Sequence, residues 1–131
     1  MSEVKPPKVL IVDDDDAIRT MVERVLRRER LEVESARDGF EAIEKLSRNE
    51  YGTVLLDLMM PRVDGAGVMK FLATYHPGQL PAVIVMTAFG AAALERIVPA
   101  PAHFLEKPFD VDTLVREVDH CIAEPPAAAA P

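Results

Sequence analysis

Apolar runs of strand length alternate with segments of helical period along the chain. Residues 8–12, 53–58 and 81–86 are continuous apolar runs, which are typical of strands buried on both faces of a sheet. Residues 103–106 are predicted to form a further, short strand. Residues 31–36 instead alternate apolar and polar side chains, which predicts a strand at an exposed edge. We therefore expect five strands.

A segment with apolar residues at helical spacing follows each predicted strand. The first helix is expected to end near Arg30. A weak, alanine-rich fourth helix is expected over residues 91–98. The prolines at positions 99 and 101 end it. The last helix spans residues 111–122, and either Asp110 or Asp112 could be its N-cap. The residues expected to face the core are Ile18, Met21, Val22, Val25, Leu26, Phe40, Ile43, Leu46, Val68, Phe71, Leu72, Leu114, Val115, Val118 and Ile122.

Five repeats of strand then helix predict an α/β fold with a parallel, doubly wound sheet and helices on both of its faces. A chain of 131 residues suits one compact domain. We place that domain at residues 8–123, after an N-terminal arm at residues 1–7. The proline- and alanine-rich segment at residues 124–131 is interpreted as a disordered tail or linker.

The formal net charge of −7 argues against direct nucleic-acid binding, because the chain has no basic stripe that could contact phosphate backbones. Cys121 is the only cysteine, so an intrachain disulfide is excluded. The N-terminus lacks the features of a signal peptide. No apolar run approaches the roughly 18 residues that cross a bilayer. These observations predict a cytoplasmic protein without a membrane partner.

Polar side chains lie where the predicted strands end. Asp13 and Asp14 follow the first strand, Asp57 ends the third, Thr87 ends the fourth, and Lys107 follows the fifth. In a parallel sheet these ends meet at one edge, which is where ligands bind. Three converging carboxylates would repel each other and destabilise the fold. A hard divalent cation such as Mg²⁺ removes that repulsion, and it is usually bound together with a phosphate.

The hydroxyl of Thr87 and the ammonium of Lys107 indicate phosphate chemistry at this edge. Both groups can contact phosphoryl oxygens and stabilise developing charge. No glycine-rich phosphate loop is present, so a bound nucleotide is not expected. A carboxylate could itself accept a phosphoryl group. The neighbouring acids Asp15 and Asp16 are assigned to the first turn of the first helix, where negative charge is favourable.

Four motifs occur in order, KVLIVDDDDAIR, VLLDLMMPRVDG, VIVMTA and FLEKPF. Together they resemble the receiver domain of bacterial two-component response regulators, over roughly residues 8–122. The resemblance implies a flavodoxin-like (βα)5 fold. It also implies a phosphoacceptor switch, in which Asp57 accepts a phosphoryl group from a phosphohistidine. The implied partners are a sensor histidine kinase or phosphotransfer protein, and a downstream effector or output domain.

The same resemblance assigns a role to each site residue. Mg²⁺ would be bound directly by Asp14 and Asp57 and through a water by Asp13, with the backbone carbonyl of Met59 as a further ligand. In this interpretation the protein is not an enzyme in the ordinary sense, because it catalyses only its own phosphoryl transfer and dephosphorylation.

The resemblance also implies how phosphorylation would be transmitted. Lys107 would pair with the phosphoryl oxygens, and the Thr87 hydroxyl would move to hydrogen-bond to them. Phe104 would turn inward into the space that Thr87 leaves, which changes the face formed by the fourth helix, fifth strand and fifth helix. The Lys107–Pro108 peptide is expected to be cis.

Simpler interpretations exist for each residue taken alone. Asp13 and Asp14 could be helix-capping acids, Thr87 a strand-end hydroxyl, Lys107 a solvated lysine and Phe104 plain core. The three histidines lack metal-ligand spacing along the chain and are interpreted as surface or packing residues.

Two other functional classes compete with the switch. One is a phosphatase of the haloacid-dehalogenase type, but that class has a second acid two residues after its nucleophile, where this chain has Met59. The other is a degenerate receiver that binds partners without being phosphorylated, and the complete set of acids argues against it.

Overall fold

The computed structural model describes residues 8–58, 60, 65–88 and 103–123. Within them, five strands form one parallel sheet in the order β2-β1-β3-β4-β5. The order reverses between β1 and β3, which is the flavodoxin-like switch point. The predicted fold class is confirmed, and β2 is the edge strand that its alternating pattern indicated. The strands are β1 (Lys8–Val12), β2 (Glu32–Ala36), β3 (Thr53–Asp57), β4 (Val83–Thr87) and β5 (His103–Glu106).

Four helices are described, namely α1 (Asp16–Arg28), α2 (Gly39–Arg48), α3 (Gly65–Tyr75) and the C-terminal helix (Val111–Ala123). None of these described helices is long and apolar enough to cross a bilayer. The predicted fourth helix at residues 91–98 lies outside the described residues. So do the predicted N-terminal arm and C-terminal tail.

The start of β4 was predicted too early. A 3₁₀ helix over Pro77–Ala82 takes up the first residues of the apolar run that had been assigned to this strand. Pro77 stands at the beginning of that helix, where its fixed φ angle suits a helical turn. An apolar run alone cannot separate a strand from a short helical turn that is equally buried.

The helix ends are set by side-chain caps and by one unusual backbone angle. Asp15 is the N-cap of α1, since its Oδ1 accepts hydrogen bonds from Ala17 N (2.8 Å) and Ile18 N (3.2 Å). Asp15 therefore precedes the first turn instead of lying in it as predicted. The helix ends at Arg28, because Arg30 adopts a left-handed φ of 64°. Asp110 accepts from Thr113 N at 2.7 Å, which settles the alternative between Asp110 and Asp112.

Two apolar clusters lie on opposite sides of the sheet. The cluster on the side of α1 and the C-terminal helix, here called the α1 face, contains Val9, Ile11, Val22, Val25, Leu26, Leu55, Ile84, Met86, Leu105, Leu114, Val118 and Cys121. The cluster on the side of α2 and α3, here called the α2 face, contains Leu10, Val12, Ala42, Leu46, Val54, Leu56, Val68, Met69, Leu72, Val83 and Val85. Successive strand residues thus alternate between the two faces, as the pleat requires.

One predicted core residue is exposed. Phe40 in α2 has a relative accessibility of 58%. In the same helix, Ala42 and Leu46 are buried, and they lie one turn apart on the inward face. Phe40 is two positions before Ala42, which places it on the opposite side of the helix. The apolar spacing therefore predicted the helix correctly, but it assigned Phe40 to the buried side of α2 instead of the exposed side.

We expect Leu55→Ala to lower the free energy of unfolding by about 2–5 kcal/mol, because it opens a cavity under the central strand. Leu55 is completely buried. Phe40→Ala is the control and should change stability by no more than about 0.5 kcal/mol. Urea unfolding followed by circular dichroism measures both. Equal losses in the two variants would contradict this account of the core.

Candidate functional site

Three backbone hydrogen bonds continue the sheet beyond the strand ends. The N–H of Asp13 donates to Ala36 O (3.1 Å), and the N–H of Leu58 donates to Met86 O (3.1 Å). The N–H of Lys107 donates to Thr87 O at 2.7 Å. The backbone on either side of the site is therefore held by the sheet itself, and the polar side chains project from one edge.

Three carboxylates meet at this edge. Asp13, Asp14 and Asp57 each have a carboxylate oxygen within 4.8 Å of the others. Asp13 is completely buried and Asp57 is 4% exposed, whereas Asp14 is exposed. The set offers only hard oxygen donors around one point, which fits the ligand preference of Mg²⁺. One side of this cluster is open to solvent, where water could complete the coordination of an ion.

Lys107 provides the positive charge inside the cluster. Its Nζ lies 2.9 Å from Asp13 Oδ2 and 3.6 Å from Asp57 Oδ2. Burial acts to lower the pKa of Lys107, but the hydrogen bond and charge of Asp13 and the charge of Asp57 outweigh it, so the pKa is raised. Lys107 is therefore protonated at neutral pH. One ammonium among three carboxylates still leaves the site negative.

The alternation of strand residues explains why these groups converge. Asp13, Asp57 and Lys107 follow Ile11, Leu55 and Leu105 by two positions, and all three of those apolar residues lie in the cluster on the α1 face. The side chains of Asp13, Asp57 and Lys107 therefore lie on the α1 face of the sheet, just beyond the strand ends.

Thr87 lies on the opposite face of the sheet, the α2 face. It follows Val85, which lies on the α2 face, and Phe104 is the register partner of Val85. Thr87 is 2% exposed, while Phe104 is half-buried and packs against the α2-face cluster. The two predicted switch residues thus share one face of the sheet on neighbouring strands.

The four consecutive aspartates have different surroundings. Asp13 Oδ1 accepts from the N–H of Asp15 at 2.9 Å, and Asp13 Oδ2 accepts from Lys107. Asp15, and not Asp13, caps α1. The helix-capping interpretation therefore fails for Asp13, which faces the cluster instead.

Arg19 is a contributor that the sequence interpretation did not assign. Its guanidinium donates to the carbonyl oxygen of Asp13 at 2.7 Å and also pairs with the Asp16 carboxylate. The side chain thus supports the backbone at the first acid of the site. The one available signal was its spacing, since Arg19 lies three residues after Asp16 on the same helix face.

Gly65 approaches the backbone of Asp57 closely. A Cβ at this position would lie 2.6 Å from the Asp57 carbonyl oxygen and 2.5 Å from Leu58 Cα. The Gly65 N–H also donates to Leu58 O at 3.1 Å. The first turn of α3 therefore packs directly on the end of β3, which a side chain at residue 65 would prevent. The sequence predicted that the third helix begins at this glycine, as it does, but gave no sign of the close approach to β3.

The remaining site predictions have different outcomes. The Lys107–Pro108 peptide is cis, as expected. Met59, whose carbonyl was predicted to bind metal, lies outside the described residues. The structure brings Asp13, Asp14, Asp57 and Lys107 together, with Thr87 at the end of the adjoining strand.

The described residues thus form a parallel α/β sheet in flavodoxin-like order, with an acid cluster and a lysine at one edge. Residues 9–119 match the family model described as response regulator receiver domain. The chain belongs to this family, and a receiver domain of a two-component system is a signalling domain, not a classical enzyme.

Individual relatives agree with the family. The chain is 37% identical over 113 residues to response regulator MprA of Mycobacterium sp. (strain KMS), covering 84% of this chain and 48% of MprA. It is 36% identical over 113 residues to transcriptional regulatory protein SrrA of Staphylococcus aureus (strain NCTC 8325 / PS 47), covering 85% and 46%. The chain therefore spans about half the length of these relatives.

A solved structure shows the same fold. The chemotaxis response regulator CheY4 of Vibrio cholerae superimposes with a TM-score of 0.81 at 28% sequence identity. The match covers 89% of this chain and 99% of CheY4.

We expect Gly65→Ala to destabilise the protein by about 1–3 kcal/mol, because the added methyl group meets backbone atoms that cannot move aside cheaply. Gly78→Ala is the matched control, since a Cβ there would contact nothing within 4 Å. The control should stay within about 0.5 kcal/mol of the wild type. Chemical denaturation of both variants makes the comparison. A Gly65→Ala protein as stable as the control would show that α3 does not need this close approach.

Proposed function

We propose that the domain is a phosphoacceptor switch that accepts a phosphoryl group on Asp57 with the help of Mg²⁺. The observation that carries the proposal is the geometry of one edge of the sheet. Lys107 contacts both Asp13 and Asp57, and the oxygens of the three carboxylates lie within 4.8 Å of one another. The donor would be a phosphohistidine on a sensor histidine kinase or phosphotransfer protein.

In the proposed transfer, a carboxylate oxygen of Asp57 attacks the phosphorus atom. The bond from phosphorus to the imidazole nitrogen of the donor breaks, and the nitrogen keeps the electron pair. When bound, Mg²⁺ would neutralise charge on the phosphoryl oxygens. Asp14 and Asp57 would bind the ion directly, and Asp13 would act through a water. Asp13 suits the indirect role because both of its oxygens already accept hydrogen bonds from the protein.

Lys107 and Thr87 would respond to the added charge. The Lys107 Nζ is only 3.6 Å from Asp57 Oδ2, so a small movement away from Asp13 would bring it to a phosphoryl oxygen. The Thr87 hydroxyl would hydrogen-bond to another of these oxygens. Phe104 lies beside Val85 on the same face of the sheet, and it would turn inward as Thr87 moves.

The readout would be a changed surface around β5 and the C-terminal helix. That surface would control an output domain or a separate partner protein. The relatives that the chain matches are about twice its length, and the name of SrrA describes a transcriptional regulator. We propose a domain at residues 8–123 that works in the cytoplasm and contacts neither DNA nor membrane itself.

Phosphorylation of Asp57 is tested with acetyl phosphate and Mg²⁺, followed by intact-protein mass spectrometry. We expect the wild type to gain the mass of one phosphoryl group and Asp57→Asn to gain none. Asp15→Asn is the matched control, because asparagine is an equally good N-cap and the variant removes a neighbouring carboxylate. It should be phosphorylated like the wild type. Continuous phosphate release from many esters would support the phosphatase, and an unmodified wild type would support the degenerate receiver.

Metal binding is tested by thermal unfolding with and without Mg²⁺. A ligand that binds only the folded protein raises its melting temperature. We expect a rise for the wild type and for Asp15→Asn, and loss of most of that rise in Asp14→Ala. Without Mg²⁺ the Asp14→Ala protein should be no less stable than the wild type, since Asp14 is exposed and its removal relieves repulsion. A destabilised metal-free variant would instead indicate a structural role for Asp14.

A further inference from the structure

Two histidines from distant parts of the chain lie side by side at the opposite end of β5 from Lys107. His103 begins β5, and His120 is in the last part of the C-terminal helix. Their ring centroids are 6.5 Å apart, and the ring planes are nearly perpendicular at 86°. Spacing along the chain gave no indication of this pair, because it joins a strand to a helix.

The contact between His103 and His120 follows from the way the C-terminal helix packs against β5. His103 and Leu105 share one side of β5, and Leu105 packs in the same cluster as Leu114 and Val118 of the C-terminal helix. The strand rises roughly 10 Å from residue 103 to 106, and the helix rises roughly 14 Å from residue 111 to 120. A helix that returns antiparallel to its strand therefore brings His120 back to the level of His103.

Both rings can be reached from solvent. His120 is exposed and His103 is half-buried. Two imidazoles that share one zinc ion, each with a nitrogen about 2.0–2.1 Å from the metal, have centroids roughly 5–6 Å apart. The observed separation of 6.5 Å is slightly greater, so binding of one ion would require the two rings to move slightly closer.

We propose that His103 and His120 form a two-imidazole binding site for a divalent transition-metal ion such as Zn²⁺. Imidazole nitrogen suits zinc, copper and nickel, whereas Mg²⁺ prefers oxygen ligands. Water would complete the coordination, since His120 is exposed. This site is chemically distinct from the carboxylate cluster, and the inference does not depend on phosphorylation of Asp57.

The test is a calorimetric titration of the purified protein with Zn²⁺ in buffer that contains excess Mg²⁺. The variants are His103→Gln, His120→Gln and the double variant, each checked for folding by circular dichroism. His76→Gln is the matched control, since His76 is an exposed histidine at the end of α3. The same titration in Asp14→Ala separates binding at the imidazole pair from any Zn²⁺ that occupies the carboxylates.

If both rings bind one ion, each single substitution loses as much Zn²⁺ binding as the double variant, and His76→Gln loses none. This non-additivity is the signature of two groups acting as one unit. In NMR spectra of the wild type, the imidazole signals of His103 and His120 should shift together as Zn²⁺ is added. Two outcomes would overturn the proposal: Zn²⁺ binding that survives both substitutions, or losses that add independently, which would mean separate single-histidine contacts.

Discussion

The ion pair between Lys107 and Asp13 is the interaction on which the site depends. In the sheet, β3 and β4 lie between the strands that carry these residues, so the 2.9 Å contact spans the edge of the sheet. Asp13 is completely buried, and a buried carboxylate without a partner is strongly destabilising. Lys107 stabilises that carboxylate and reaches toward Asp57 at the same time. One side chain thus serves both the folded state and the chemistry proposed for Asp57.

The partial neutralisation of the cluster defines what it can bind. Three carboxylates and one ammonium leave a net negative site, which favours a cation. A phosphoryl group on Asp57 would then add negative charge beside Lys107 and compete with Asp13 for its ammonium. The backbone N–H of Lys107 donates to Thr87 O, so the sheet holds the backbone of these two residues next to each other.

The sequence predicted the parts of the structure that depend on local pattern and on the direction of the strands. It identified the parallel sheet, the edge position of β2 and the acids at the strand ends, because apolar period and strand polarity alone determine them. It misplaced the start of β4 and the side of α2 on which Phe40 lies, where an apolar residue is compatible with two conformations or two faces. Gly65 was also missed, since its role depends on how closely α3 approaches β3.

Contacts between distant elements can be predicted from side-chain alternation only after the position of each strand is known. Once β5 is placed, its alternation puts His103, Leu105 and Lys107 on one side and Phe104 on the other. One side of β5, together with the residue that follows the strand, thus contacts His120 at one end, the apolar cluster in its middle and the carboxylates at the other. The opposite side carries the residue proposed to turn inward. Because β5 pairs with β4 along its whole length, the residues on its two sides are held in one register.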